Sequence, residues 1–519
     1  MKLHANLLLA AIDIGSSAIR MDVAEARPDG SIRVLDSLKK GVQLGREAFT
    51  QGRLSQEAIQ AACDTLRDFK KVLDTYGVSS YRAVATSAVR ESTNSETFLD
   101  RLLISSGLDV EVINGPEENR LTLLVVMNSI REAPDLAQGK CLLVEVGGGS
   151  TDVSLIKEGG LLQSGTFPLG SIRLSADTGA GAGLYRHEQQ IRMLKNLISG
   201  QLFNIKREIR FRDSTHYIAL GGDVRFVTRL LNGSQISGNL VSIPRKDFTN
   251  LVDNLSRFTI DELVQKYSIS YLDAETLVPA LLTYQHFFAE TAADEIIVCD
   301  ASIRAGILKD MAPSEQDESY KKLTSQILSA ARSLGRKYNY DEMHAERVRK
   351  MAVTLFNELK TEQHLTETHK LYLETASLLH DIGLFVSSRA HHKHSYYLIS
   401  SSELFGLRKQ EMEIIANIAR YHRRALPQRS HIPFISLDRD ERVVVSKLSA
   451  ILRVANALDK DHLKVMVDLK VIRETDQIAL LVPKLSDMAM ARLSLADRSN
   501  LFVEVFGKNI ILREMDGAS

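Results

Sequence analysis

The chain has no tryptophan, three cysteines and ten prolines in 519 residues. Cys63, Cys141 and Cys299 are far apart, odd in number and never in CxxC spacing, which argues against a disulfide framework and a thiolate metal site and fits a reducing compartment. No apolar stretch approaches the ~20 residues of a membrane span. The short apolar run at 7–11 imitates a signal peptide, but it continues directly into Ile12-Asp13-Ile14-Gly15 and reads as a first strand. The expectation is a cytoplasmic protein with no membrane partner. Excess charge is also missing: 65 Lys+Arg balance 65 Asp+Glu, so no nucleic-acid partner is implied and any anion site must come from local clustering. GxxxxGK[ST], GxSxG and HExxH do not occur, which argues against a P-loop ATPase.

What is present is apolar residue throughout, 44% of the chain, at a length that suggests roughly three to four domains. The stretch at 142–155 breaks an apolar run with Gly147-Gly148-Gly149-Ser150-Thr151 and then resumes it. That pattern predicts strand, tight turn, strand, with backbone N–H groups at the turn suited to phosphate. Glu145 and Asp152 flank it, and two carboxylates there suit a divalent cation or a water beside the phosphate. An ordinary Gly-rich hairpin is the competing reading. The same grammar occurs at Asp13-Ile14-Gly15-Ser16-Ser17, which predicts a duplicated α/β domain with one such turn in each half and a cleft between them.

Periodicity predicts helices at 56–76, 95–105 and 188–206, and strands at 110–113, 217–220 and 296–299. Arg90 falls on a polar turn after a short strand. Gly115-Pro116 ends a strand and puts Glu117 and Glu118 on the first turn of a long helix, where the helix dipole favours negative charge. Residues 313–319 read as a linker. Helical spacing then dominates at 348–359, 371–379, 411–421 and 443–458, followed by strands at 465–471, 478–482, 501–505 and 510–512 around a short helix near 488–494. The expected domains are 1–130, 131–312, 320–462 and 463–519.

The segments at 12–16, 85–91, 113–121 and 147–151 together resemble the exopolyphosphatase and guanosine pentaphosphate phosphohydrolase family. The resemblance implies an α/β fold of two actin-like (ASKHA, ribonuclease H-like) domains with the active site in the cleft between them. It implies a homodimer that removes a terminal phosphate with water and Mg2+, or another divalent metal. By the same resemblance Glu118 is the catalytic carboxylate and Arg90 grips phosphate. Gly15, Ser16, Gly147, Gly148, Gly149, Ser150 and Thr151 then cradle the chain, with Asp13, Glu145 and Asp152 at the metal. Glu145 before the glycines and Asp152 after them exchange the family's usual carboxylate lengths. The expected substrate is inorganic polyphosphate, with guanosine pentaphosphate (pppGpp) as alternative. An ATP-dependent kinase of the actin-like fold and a non-enzymatic nucleotide or polyphosphate sensor are the readings from other classes.

In the helical module His344 and His380-Asp381, with further histidines at 391, 392, 394 and 422, supply imidazoles and a carboxylate suited to a divalent metal. This resembles the HD superfamily of metal phosphohydrolases, and the fold expected is an all-α HD-like domain followed by a small α+β domain. Asn456 aligns with that superfamily's last ligand, an Asp, which implies a structural or weakly metallated site rather than a second enzyme. Residues 384–431 carry eight Lys/Arg against three Asp/Glu, and Arg423 and Arg424 are the expected contacts for a long polyanion.

Overall fold

The computed structural model describes residues 7–27, 31–78, 80–179, 186–232, 240–312, 316–360, 363–423, 425–459, 469–474, 476–482 and 488–514. They form two compact units, Met1–Lys321 and Lys322–Ser519.

The first unit holds two sheets. Strands β1 (Leu7–Ile14), β2 (Ala18–Ala26), β3 (Ile32–Gly41), β4 (Ser80–Ala85) and β5 (Glu111–Val112) lie in the order β3-β2-β1-β4-β5. The first three form an antiparallel meander, and β4 and β5 join in parallel. The second sheet contains β6 (Lys140–Val146), β7 (Thr151–Lys157), β8 (Gly160–Phe167), β9 (His216–Leu220), β10 (Leu240–Pro244) and β11 (Glu295–Cys299), ordered β10-β11-β9-β6-β7-β8. Its meander β6-β7-β8 is again antiparallel, and β9 and β11 are again parallel additions. With β10 as an extra edge strand, the second sheet repeats the connectivity of the first, as the paired turns predicted.

Each sheet is covered for reasons visible in its sequence. The helix Gln56–Tyr76 starts where the Ser55 side chain accepts from Ala58 N–H and stops at Gly77, whose φ of 64° suits glycine. Its buried face, Ile59, Ala62, Cys63, Leu66, Phe69 and Leu73, packs on Ile12, Ile19 and Val23 of the sheet. Each large side chain so buried stabilises by about 1.5–3 kcal/mol, so a charge at Leu66 or Phe69 would strip the helix away. The opposite face of the first sheet is covered from far along the chain. Ile307 and Leu308 of the helix Ile303–Met311 pack on Leu9, Ala11, Ala24 and Val84. The first sheet's domain is therefore not one continuous segment.

The second unit is helical, with strands β12 (Lys470–Arg473), β13 (Gln477–Val482) and β14 (Asn509–Glu514). Their buried side chains belong to the helices' core rather than to one of their own. Ile478, Leu480, Val482, Ile510 and Leu512 are buried in the same cluster as Val348, Leu355, Leu448 and Leu452 of the helices. Residues 501–505, expected as a strand, lie in the helix Asn500–Phe506, where the rings of Phe502 and Phe506 pack one turn apart, tilted by 46° with centroids 4.6 Å apart. The expected linker is helical from Gln316 onward, in Gln316–Lys337; residues 313–315 and most of the expected strand 465–471 fall outside the described residues.

Candidate active site

Two tight turns face each other in the first unit. In the β1–β2 hairpin, Gly15 N–H donates to Ala18 O at 3.1 Å, and Asp13 lies opposite Arg20. In the β6–β7 hairpin, Gly147 N–H donates to Ser150 O at 2.8 Å, and Glu145 lies opposite Asp152. The turns nearly touch. A Cβ on Gly148 would stand 2.9 Å from Ser16 Cβ, and one on Gly149 would stand 2.4 Å from Ser87 Oγ. A Cβ on Gly170 would reach 2.3 Å from the Gly148 carbonyl oxygen. Gly148 and Gly149 are thus required by close approach between the two halves, and Gly170 by its approach to the turn's own backbone. The carbonyls of Gly147 and Gly148 accept from Ser171 and Ile172 N–H at 2.9 Å each. Among the described residues the N–H groups of Gly148 and Ser150 meet no backbone acceptor, and both residues line the cleft.

The cleft has a volume of about 350 Å³ and is lined by Asp13, Glu118, Glu145 and Asp152. Glu118 sits on the first turn of the helix Gly115–Glu132, which the Asn114 side chain caps by accepting from Glu117 N–H. Asn119, one residue on, exchanges hydrogen bonds with Ser154 of β7 at 2.8 and 3.1 Å, locking the helix start over the second sheet. Glu118 therefore faces the carboxylates of both hairpins. Its neighbour Glu117 turns away and is held by Arg120 at 2.7 Å and Arg82 at 3.0 Å, a buried structural cluster that Asp310 completes. Of the two, Glu118 is the one that lines the cleft.

Electrostatics make these carboxyls reluctant to ionise. Burial raises Glu118 to about 7, helped by Asp13 and Glu145 and opposed by Arg90. Burial also raises Glu145 to about 7, against a hydrogen bond from Thr122 and the charge of Arg225. Asp152 is pushed well up by burial and by the charges of Glu118 and Glu145, and Asp13 is raised by burial although Arg20 and Arg304 lie 3.8 and 3.9 Å away. Hard oxygen donors of this kind suit Mg2+, but among the described residues no three of these carboxyls come close enough together to share an ion as they stand.

The remaining predicted residues divide. Gly15, Ser16, Gly147, Gly148 and Ser150 line the cleft. Gly149 packs against Phe49 and Ser87, and Thr151 is fully buried with its hydroxyl donating to Leu169 O, so both support the turn from behind. Arg90 ends the short helix Ser87–Arg90, and its Nη1 donates to Glu118 Oε1 and Ile113 O at 2.6 Å each. It orients and pairs the glutamate. Arg20, Arg225 and Arg304 also line the cleft, and sequence reasoning did not single them out. The one local signal was pairing: Arg20 is the cross-strand partner of Asp13. Thr122 had a signal too, one helical turn after Glu118.

In the second unit His344, His380 and Asp381 come together as expected. Asn456 is not part of that cluster. The carboxylate that reaches it is Asp459, three residues later, at 2.5 Å from His344 Nδ1. The end of the helix Arg439–Leu458 carries Asp459 past the last helical turn and toward the histidine. Arg423 is half-buried, its carbonyl accepting from Arg453, and Arg424 lies outside the described residues.

Comparison with known proteins agrees with this architecture. An exopolyphosphatase from Cytophaga hutchinsonii is similar at 24% identity, over 59% of this chain and 99% of that one, with a TM-score of 0.53. An exopolyphosphatase-like protein is similar at 21% identity, over 59% and 98%, also with a TM-score of 0.53. A Ppx/GppA family member from Aquifex aeolicus matches at 22% identity, over 59% and 97%, with a TM-score of 0.49. The fold of the first unit is the actin-like pair of domains. Residues 23–315 match the Ppx/GppA phosphatase family and residues 328–497 match domain III of the same phosphatases, so this chain belongs to the Ppx/GppA phosphatase family.

Proposed function

We propose that the cleft hydrolyses the terminal phosphoanhydride of inorganic polyphosphate, with Glu118 as general base. The observation that carries this is that, of the two buried carboxyls raised to about 7 in the cleft, Glu118 is the one oriented by Arg90, beside turn N–H groups that meet no backbone acceptor among the described residues. A base poised near neutrality accepts a proton from water efficiently, and such a group contributes about 10²–10⁴ in rate. Phosphoryl transfer needs little else but positioning and charge. Gly148, Ser150 and Ser16 line the cleft, where their turn N–H groups and hydroxyl would hold phosphate oxygens, and Arg20, Arg225 and Arg304 beside them would supply the positive charge that four carboxyls alone would deny an anion. Arg90 keeps Glu118 in position. Asp13, Glu145 and Asp152 are the residues that would hold Mg2+. When bound, that ion neutralises charge on the phosphoryl group.

Phosphate release from polyphosphate and from pppGpp, with Mg2+, tests the reading. Glu118→Gln should lose at least 10²-fold in kcat while still binding polyphosphate. Full activity in that variant removes the general base, and release from pppGpp alone replaces the substrate.

A further inference from the structure

The glycine turn between β6 and β7 is held by its carbonyls. Gly147 O accepts from Ser171 N–H and Gly148 O from Ile172 N–H, at 2.9 Å each, and Arg173 N–H also donates to Gly148 O at 3.2 Å. These three donors are backbone groups at the start of the helix Ser171–Asp177, so no side-chain substitution removes them. Gly149 O differs. Among the described residues its hydrogen bond comes from a side chain, Arg173 Nε, at 3.0 Å.

That bond decides where an N–H group points. Among the described residues no peptide bond is cis, and in a trans peptide the C=O and the following N–H face opposite ways. Holding Gly149 O toward Arg173 therefore sends Ser150 N–H to the other side of the turn. Ser150 lines the cleft and Arg173 does not, so the N–H is fixed from behind. Without the guanidinium, the glycine at 149 leaves this peptide free to rotate. A flip would bring Gly149 O round in place of the N–H, and an oxygen there repels an anion.

Arg173 is itself gripped by the other half. Its Nη2 lies 2.8 and 2.6 Å from the two carboxylate oxygens of Glu91, and its guanidinium lies 4.3 Å from the centre of the Phe49 ring. The charge-assisted pair and the negative face of the ring both favour the cation. The Arg173 side chain is 19% exposed, which shields both contacts from water. Phe49 packs on the core of the first sheet, and Glu91 follows Arg90, whose Nη1 holds Glu118 at 2.6 Å. One planar group thus spans from the glycine turn of one half to the segment that orients Glu118 in the other.

On the reading of the cleft as a phosphate site, we propose that Arg173 is a positioning residue. It fixes the peptide between Gly149 and Ser150 so that Ser150 N–H faces the bound phosphate, and Glu91 and Phe49 hold it in place to do so. Arg173 touches no substrate. Lysine cannot replace it, because a single ammonium lacks the planar fork that reaches Gly149 O and Glu91 together.

The test measures tripolyphosphate binding by calorimetry, with Mg2+, in full chains carrying Glu118→Gln so that turnover does not interfere. KM and kcat for phosphate release are measured with Glu118 in place, and urea midpoints check folding. Calorimetric stoichiometry counts folded sites, so Kd stays readable in a variant that is partly unfolded. Arg173→Lys keeps a cation for Glu91 and should keep the urea midpoint, yet weaken tripolyphosphate binding about 10- to 100-fold, the worth of one hydrogen bond to a charged group. KM should rise in step. Arg173→Met should weaken binding at least as much, and adding Glu91→Ala to it should cost nothing further, since Glu91 acts through Arg173. Arg173→Lys that binds tripolyphosphate as its parent does overturns the inference alone, and so does a further loss of binding when Glu91→Ala is added to Arg173→Met. A parent that binds no tripolyphosphate overturns the reading of the cleft and the role of Arg173 with it.

Discussion

Removing divalent cations should make the first unit's stability depend on pH in a direction opposite to ordinary acid denaturation. Glu118 and Glu145 titrate near 7 in the folded chain, against 4.5 for an ordinary glutamate. A carboxyl whose folded pKa is raised binds its proton more tightly when folded, so its contribution is fully present below about pH 4.5 and is lost as pH rises through 7. For either residue alone the difference corresponds to about 3 kcal/mol. Both line an open cleft and interact with each other, so solvent screening and coupling reduce the combined effect to about 3 kcal/mol for the pair. The assay is urea denaturation followed by tryptophan-free signals, far-UV circular dichroism or tyrosine fluorescence, at pH 5, 6, 7 and 8 with EDTA or with excess Mg2+. With EDTA the midpoint should fall between pH 5 and 8, and Mg2+ should restore it, most strongly at pH 8. In Glu118→Gln with Glu145→Gln the fall should largely disappear. The reasoning fails if stability in EDTA is flat over this range, or if the double variant keeps the same slope.

Other consequences are simpler to check. Glu117→Ala should destabilise the fold by about 3–5 kcal/mol, because it strands Arg120 and Arg82 in a buried cluster, while kcat per folded molecule stays near wild type; denaturation midpoints and active-site-normalised rates separate the two. Gly170→Ala drives a Cβ into the Gly148 backbone, so it should cost about 1–3 kcal/mol in thermal denaturation and lower phosphate release at least tenfold. Reversing charge at Arg423 and Arg424 should weaken long polyphosphate more than short chains, with a shallower salt dependence; equal KM changes for both lengths would refute a binding track there.

The sequence made local order legible where one interaction decided it. The helix Gln56–Tyr76 matches its expected bounds because cap, period and terminal glycine agree. The duplicated hairpins were visible because a carboxylate and glycines at a strand end form a local pattern. Residues 501–505 misled because Phe502, Val503 and Val505 have strand propensity, whereas packing chose the helix that sets Phe502 against Phe506. Arg225 and Arg304 could not be found, since each is a lone arginine and only the tertiary fold brings it to the cleft, whereas Arg20 had the local signal of standing opposite Asp13 in the hairpin. Asp459 was missed for a geometric reason: the helix ends before it, so helical spacing could not place it.

The return of the helix Ile303–Met311 to the first sheet bears on how the chain is made. Gly306 meets the Leu121 backbone so closely that a Cβ there would stand 2.1 Å from its carbonyl oxygen, and Asp310 closes the arginine cluster around Glu117. A ribosome that has released only the first half of this unit has therefore released a sheet with one greasy face uncovered. Translation at about 5–20 residues per second leaves that face waiting for roughly ten seconds or more. Truncation just before residue 303 should yield an aggregating fragment rather than a smaller domain, and a stalled nascent chain of that length is a natural client for a chaperone.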